Sequence, residues 1–114
     1  MKEIKAYVRE RMASRVVEAL VAAGCRDFSI LDVRGVASGL TAENYQYSVQ
    51  LADAYERIAK FEIVCRDEDA NALIDVIRVA ASTGRDGDGM VFLAPVEDAI
   101  RVRDGRRGED ALVR

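Results

Sequence analysis

Apolar and polar residues alternate over residues 3–9, with Ile4, Ala6 and Val8 on one face and Glu3, Lys5, Tyr7 and Arg9 on the other. A period of two marks a half-buried strand. The period changes over 12–23, where Val16, Ala19, Leu20 and Ala23 recur at helical spacing and Gly24 supplies a stop. Strand character returns over 28–36 with Phe28, Ile30, Leu31, Val33 and Val36. Gly35, near its end, predicts a close approach of another part of the chain.

Residues 37–55 keep no period: Gly39, the polar run Thr41-Ala42-Glu43-Asn44 and three tyrosines, Tyr45, Tyr47 and Tyr55, follow one another without a face. A long functional loop fits this stretch; a strand extension with a turn at its tip is the alternative. Residues 57–65 form the clearest strand, with Ala59, Phe61, Ile63 and Cys65 facing one way and Ile58, Lys60, Glu62 and Val64 the other. Asp67 reads as a helix N-cap, Glu68 and Asp69 fill the first turn, and Ala70, Leu73, Ile74, Ile77 and Ala81 make the buried stripe. Gly84 ends that helix. A glycine-rich loop over 83–89 leads to a last strand, Val91-Phe92-Leu93-Ala94, closed by Pro95.

The order is therefore β-α-β, long loop, β-α-β. It predicts an α+β, ferredoxin-like double βαβ: a four-stranded antiparallel sheet with two helices on one face. The other face keeps enough apolar side chains to expose a patch on a monomer, which argues for a subunit interface.

Composition narrows the function. The 114 residues fit a single domain, 1–114, and half of them are apolar or aromatic. With a formal charge of −3 and no basic stripe, nucleic acid is not an expected partner. The start, Met1-Lys2-Glu3-Ile4-Lys5, reads as no signal peptide, and no apolar run reaches a membrane span. Cys25 and Cys65 follow no metal spacing and read as reduced, mostly buried thiols, as in a cytoplasmic protein. Histidine is absent, which removes the commonest general base and metal ligand and lowers the expectation of an enzyme.

Two segments suggest a site. In Thr83-Gly84-Arg85-Asp86-Gly87-Asp88-Gly89, three glycines within six residues can turn amide N–H groups into one concavity that suits phosphate. Turn chemistry alone favours an ordinary glycine-rich turn. In the arginine-rich segment 101–114, Arg101 and Arg103 are two apart, so in an extended chain they point the same way and could clamp phosphate. A solvated basic tail is the plain alternative.

These two segments, with Val91-Phe92-Leu93-Ala94-Pro95-Val96-Glu97 between them and Ala99-Ile100-Arg101-Val102-Arg103-Asp104-Gly105-Arg106-Arg107-Gly108-Glu109 after, closely resemble the C-terminal signature of PII signal-transduction proteins. The opening Met1-Lys2-Glu3-Ile4-Lys5-Ala6, the segment Val16-Val17-Glu18-Ala19-Leu20 and Val33-Arg34-Gly35 resemble that family in the same places. The resemblance implies a homotrimer that binds ATP or ADP in lateral clefts, where one subunit's glycine-rich segment meets its neighbour's C-terminal arginines. It implies nucleotide contacts at Gly35, Glu62, Val64, Gly87, Asp88, Gly89, Arg101 and Arg103. Ser29 stands where the family usually has threonine and can make the same hydroxyl bond to the base. It further implies that residues 37–55 dock on a target, a membrane transporter or a metabolic enzyme, in a regulator rather than an enzyme. The chain itself is not expected to be embedded in a membrane.

The departures are as informative. Met90 and Ser38 occupy places where the family usually carries lysine and arginine against the phosphates, and each lost cation removes a charge-assisted bond worth roughly 1.5–3 kcal/mol. The expected ligand is therefore ADP or AMP at least as readily as ATP. Gly39 and Ile58 replace the glutamine and lysine that serve magnesium and 2-oxoglutarate, so that response is expected to be weak or absent, and no metal site is expected. Leu51 stands at the tyrosine modified in enteric-type members. A small metal-binding or enzymatic trimer, like the related copper-tolerance family that lacks the arginine tail, and a scaffold without ligand are the competing readings.

Overall fold

The structure, a computed structural model, describes residues 1–36 and 55–113. Its elements are β1 (Lys2–Arg9), a 3₁₀ turn (Glu10–Met12), α1 (Ala13–Ala22), β2 (Ser29–Val36), β3 (Tyr55–Cys65), α2 (Asp67–Ala81), β4 (Gly89–Pro95) and a second 3₁₀ turn (Gly108–Leu112). The loop expected over 37–55 lies, but for Tyr55, outside the described residues, and so does Ser38.

The four strands form one sheet in the order β2-β3-β1-β4. Every neighbouring pair is antiparallel: Ala6 sits opposite Phe61 on one side and Val91 on the other, and Ser29 sits opposite Glu62. The alternation read from the sequence is what packs the core. Ile4, Ala6 and Val8 of β1 and Ala59, Phe61, Ile63 and Cys65 of β3 are buried beneath Val16 and Leu20 of α1 and Ala70, Leu73, Ile77 and Ala81 of α2. Both helices therefore cover one face, as predicted.

The start of α2 departs from the expected cap. Arg66 holds the N-cap position without a side-chain hydrogen bond, and Asp67 is the first helical residue. Its carboxylate instead meets the Met1 ammonium at 2.9 Å, and that contact holds the Asp67 carboxyl below its usual range. The three acids of the first turn still complement the helix dipole.

The uncovered face is mixed. Met90 and Phe92 of β4 and Leu31 of β2 are exposed there. Tyr7 meets Phe92 edge to face at 6.0 Å, and the Lys60 ammonium lies 5.5 Å from the Tyr7 ring centre. Lys60 also pairs with Glu62 at 2.9 Å, and Lys5 with Glu3 at 3.5 Å.

Candidate anion-binding site

The glycine-rich loop begins where α2 ends and finishes where β4 pairs with β1, Gly89 opposite Val8. Its organiser is Asp88. The carboxylate accepts the Thr83 amide at 2.7 Å, the Gly84 amide at 3.0 Å and the Thr83 hydroxyl. Arg9, at the end of β1, adds its Nε at 3.4 Å and sends Nη2 to the Asp86 carbonyl at 2.6 Å. The concavity expected to receive phosphate is thus filled on one side by the chain's own carboxylate: the Thr83 and Gly84 amides are already bonded to it. Arg9 was not foreseen. The signal lay in the register, which carries β1 alongside the loop.

The Thr83 hydroxyl and amide, followed by Arg9 and the Gly84 amide, hold the Asp88 carboxyl down at about 2, against an ordinary 3.8. A carboxyl depressed on folding stabilises the fold above its unfolded value and loses that contribution as pH falls through the folded one. Asp88→Asn should therefore melt below the wild type at pH 7, and the gap should shrink from about pH 4 and vanish near pH 2. Thermal melts of both proteins across that range check it. A gap that stays constant down to pH 2 would show that the charge of Asp88 is not what stabilises the loop.

The remaining strand residues sit on the uncovered face. Ser29 is the cross-strand partner of Glu62, and Lys60 beside it holds the Glu62 carboxyl below its usual range. A β-carbon on Gly35 would run into the Ile58 side chain, the close approach that the glycine predicted. Val64 lies opposite Glu3, near the other end of the sheet.

The C-terminal arginines depart from the extended geometry. Ile100 bridges to Arg107, the Arg101 amide donates to the Arg106 carbonyl at 2.8 Å, and residues 102–104 form a turn. Arg101 and Arg103 consequently differ in burial, the Arg101 side chain being 16% exposed and the Arg103 side chain 78%, while both reach Asp104 across the turn. Arg101 donates to the Asp110 carbonyl at 2.9 Å and to the Val113 carbonyl. Asp98 takes Arg107 at 3.2 Å, and Asp104 lies against Arg101, Arg103 and Arg106.

Arg101, Arg103 and Val64 border a cavity of about 810 Å³ between the end of α1, the end of β3, α2 and the C-terminal segment. Cys25 and Cys65 also line it, and burial pushes both thiols up, so they stay protonated and poorly nucleophilic. Among the described residues no cluster of metal-ligating side chains occurs. The candidate residues do not converge within one chain. The loop lies beside Val8, whereas the arginines border the same cavity as Val64 and Cys65, whose partners on β1 are Glu3 and Lys2. Six strand residues at about 3.3 Å each separate the two ends by about 20 Å.

A β2-β3-β1-β4 antiparallel sheet with both helices on one face is the ferredoxin-like class. Comparison with known proteins narrows it: residues 1–106 match the family described as Nitrogen regulatory protein P-II, and the chain belongs to that family. It is 38% identical over 114 residues to the Nitrogen regulatory protein P-II of Cereibacter sphaeroides, spanning 98% of this chain and 100% of that one. It is 36% identical over 113 residues to Nitrogen regulatory protein P-II 2 of Methanothermobacter thermautotrophicus, spanning 98% and 97%. The crystal structure of Arabidopsis thaliana PII bound to citrate superposes with a TM-score of 0.79 at 34% identity, over 96% of this chain and 90% of that one. Members of the family are signal-transduction regulators that act on target proteins. Among the described residues no helix is long and apolar enough to cross a membrane.

Proposed function

We propose that this chain is a PII-like regulator that binds an adenine nucleotide in clefts between the subunits of a homotrimer and controls a transporter or metabolic enzyme through residues 37–55. The observation that carries the reading is the separation of its two phosphate-seeking parts. The loop around Gly87 and Gly89 and the turn bearing Arg101 and Arg103 stand at opposite ends of one sheet, so a shared phosphate needs them from different copies. The uncovered face supports association as well. Met90, Phe92 and Leu31 are exposed on it, and burying such side chains favours assembly by about 1.5–3 kcal/mol each. The Arabidopsis relative was crystallised with citrate, a polyanion, which supports anion binding on this fold.

Within the cleft, Glu62 and Ser29 face each other across β2 and β3 and would hold the base. Met90 follows the loop with an exposed thioether rather than an amine, so the outer phosphates gain no cation from it. Calorimetric titrations with ATP, ADP and AMP test the reading. ADP and AMP should bind at least as tightly as ATP, and Arg103→Ala should weaken each by about 1.5–3 kcal/mol, the range for a charge-assisted bond. A clear preference for ATP, or an unchanged Arg103→Ala, would mean the phosphates lie elsewhere. No binding at all would leave a scaffold, and a monomer in light scattering at micromolar concentration would remove the cleft.

A further inference from the structure

The C-terminal turn gathers three arginines around one aspartate. Three guanidinium groups converge there on a single oxygen. Asp104 Oδ2 lies 3.2 Å from Arg101, 3.5 Å from Arg106 and 3.8 Å from Arg103. The other oxygen, Oδ1, accepts the Arg106 amide at 3.2 Å. Three cations meet one carboxylate there, and the shared oxygen marks a point where an anionic oxygen is stabilised from three sides.

The three arginines are not equally fixed. Arg101 is largely buried, its second guanidinium nitrogen tied to the Asp110 and Val113 carbonyls, so it holds its place whether or not Asp104 is present. Arg103 and Arg106 have side chains 78% and 61% exposed and can follow an incoming group. Arg101 and Arg103 also border the 810 Å³ cavity, within the size range of small-molecule sites.

We infer that Asp104 is an internal stand-in for a ligand oxyanion: it occupies the arginine cluster when no ligand is bound, competes with phosphate for it, and makes Arg106 a third phosphate ligand beside Arg101 and Arg103. The inference rests on reading Arg101 and Arg103 as phosphate ligands. It adds a device that sets affinity. A phosphate oxygen enters by displacing the carboxylate, so Asp104 weakens every phosphorylated ligand and keeps the cluster from holding singly charged anions.

Asp104→Asn is the test, because asparagine keeps an acceptor for the Arg106 amide while removing the competing charge. Asp104→Ser serves as a second variant should the first fold poorly by circular dichroism. Wild type and variant are titrated with tripolyphosphate, which has no base, and with ADP and ATP, at low and at physiological salt. Removing one unit charge about 4 Å away should tighten tripolyphosphate and both nucleotides on the order of tenfold, and the gain should shrink as salt rises. Adding Arg106→Ala to the variant should abolish most of that gain. Tighter tripolyphosphate binding with no nucleotide binding to either protein would uphold the stand-in and refute the nucleotide reading. Nucleotides bound equally or more weakly by the variant would overturn the stand-in while leaving that reading intact, since a carboxylate that merely braces the turn would position the arginines. Failure of both proteins to bind tripolyphosphate would also overturn it.

Discussion

Gly89→Ala is expected to cost on the order of 3 kcal/mol or more and to detach the glycine-rich loop from the sheet. Gly89 has φ +128°, a region that alanine enters only under strain. The new β-carbon would also run into the Tyr7 carbonyl oxygen, and would lie 2.9 Å from the Tyr7 carbonyl carbon and 3.3 Å from the Val8 α-carbon. All three are backbone atoms of β1, the strand that pairs with β4. No rotamer change relieves such a contact. Either β4 parts from β1 at its first residue or Gly89 changes conformation, and the second moves Asp88 off Thr83, Gly84 and Arg9. Gly35→Ala is the control. Its β-carbon meets only the end of the Ile58 side chain, which can rotate away, so its cost should be on the order of 1 kcal/mol. Urea unfolding of the two variants decides the matter, and equal stabilities would mean that the β1–β4 contact at Gly89 is not a close one.

The same residues show what the sequence could carry. The strand around Phe61 and the stripe from Ala70 to Ala81 were legible because burial repeats at the period of the element, and the core follows that repeat. Gly35 was legible as a point of close approach, though not what approaches it, and Gly89 only as part of a glycine-rich loop. Contacts made across space were not legible. Arg9 and Asp88 lie 79 positions apart and meet only through the β1–β4 register. Asp67 has the side chain and position of a cap, and the sequence does not reveal that the Met1 ammonium lies 2.9 Å away. The arginine turn is a different case. Asp104-Gly105 is a common turn dipeptide, and Gly105 has φ +76°. That local signal pointed to a turn, and it is the turn, not an extended 101–103, that brings the Arg101 and Arg103 side chains to one carboxylate, Asp104.

A mixed oligomer should bind nucleotide where each of its parent proteins fails. If every cleft takes its loop from one copy and its arginines from the next, two kinds of damage can be placed on different chains. Gly87→Ala is suited to the loop. Gly87 has φ +86°, and an added β-carbon would press on the Arg9 guanidinium at 3.2 Å, so the loop is disturbed without a clash against backbone. The double substitution Arg101→Ala and Arg103→Ala removes the clamp at the other end of the sheet. Each variant alone, as a homotrimer, has all of its clefts damaged and should lose on the order of a hundredfold in affinity, from two charge-assisted bonds or from a displaced loop. In any trimer containing both kinds of chain, one junction joins an intact loop to an intact pair of arginines. The other two junctions do not. Co-expressed chains carrying different tags, purified through both, should therefore bind about one nucleotide per trimer at close to wild-type affinity. Calorimetry gives the stoichiometry and the affinity together. Wild-type affinity in either homotrimer would show that the damaged part is not needed, and mixed trimers no better than their parents would place the loop and the arginines in separate sites.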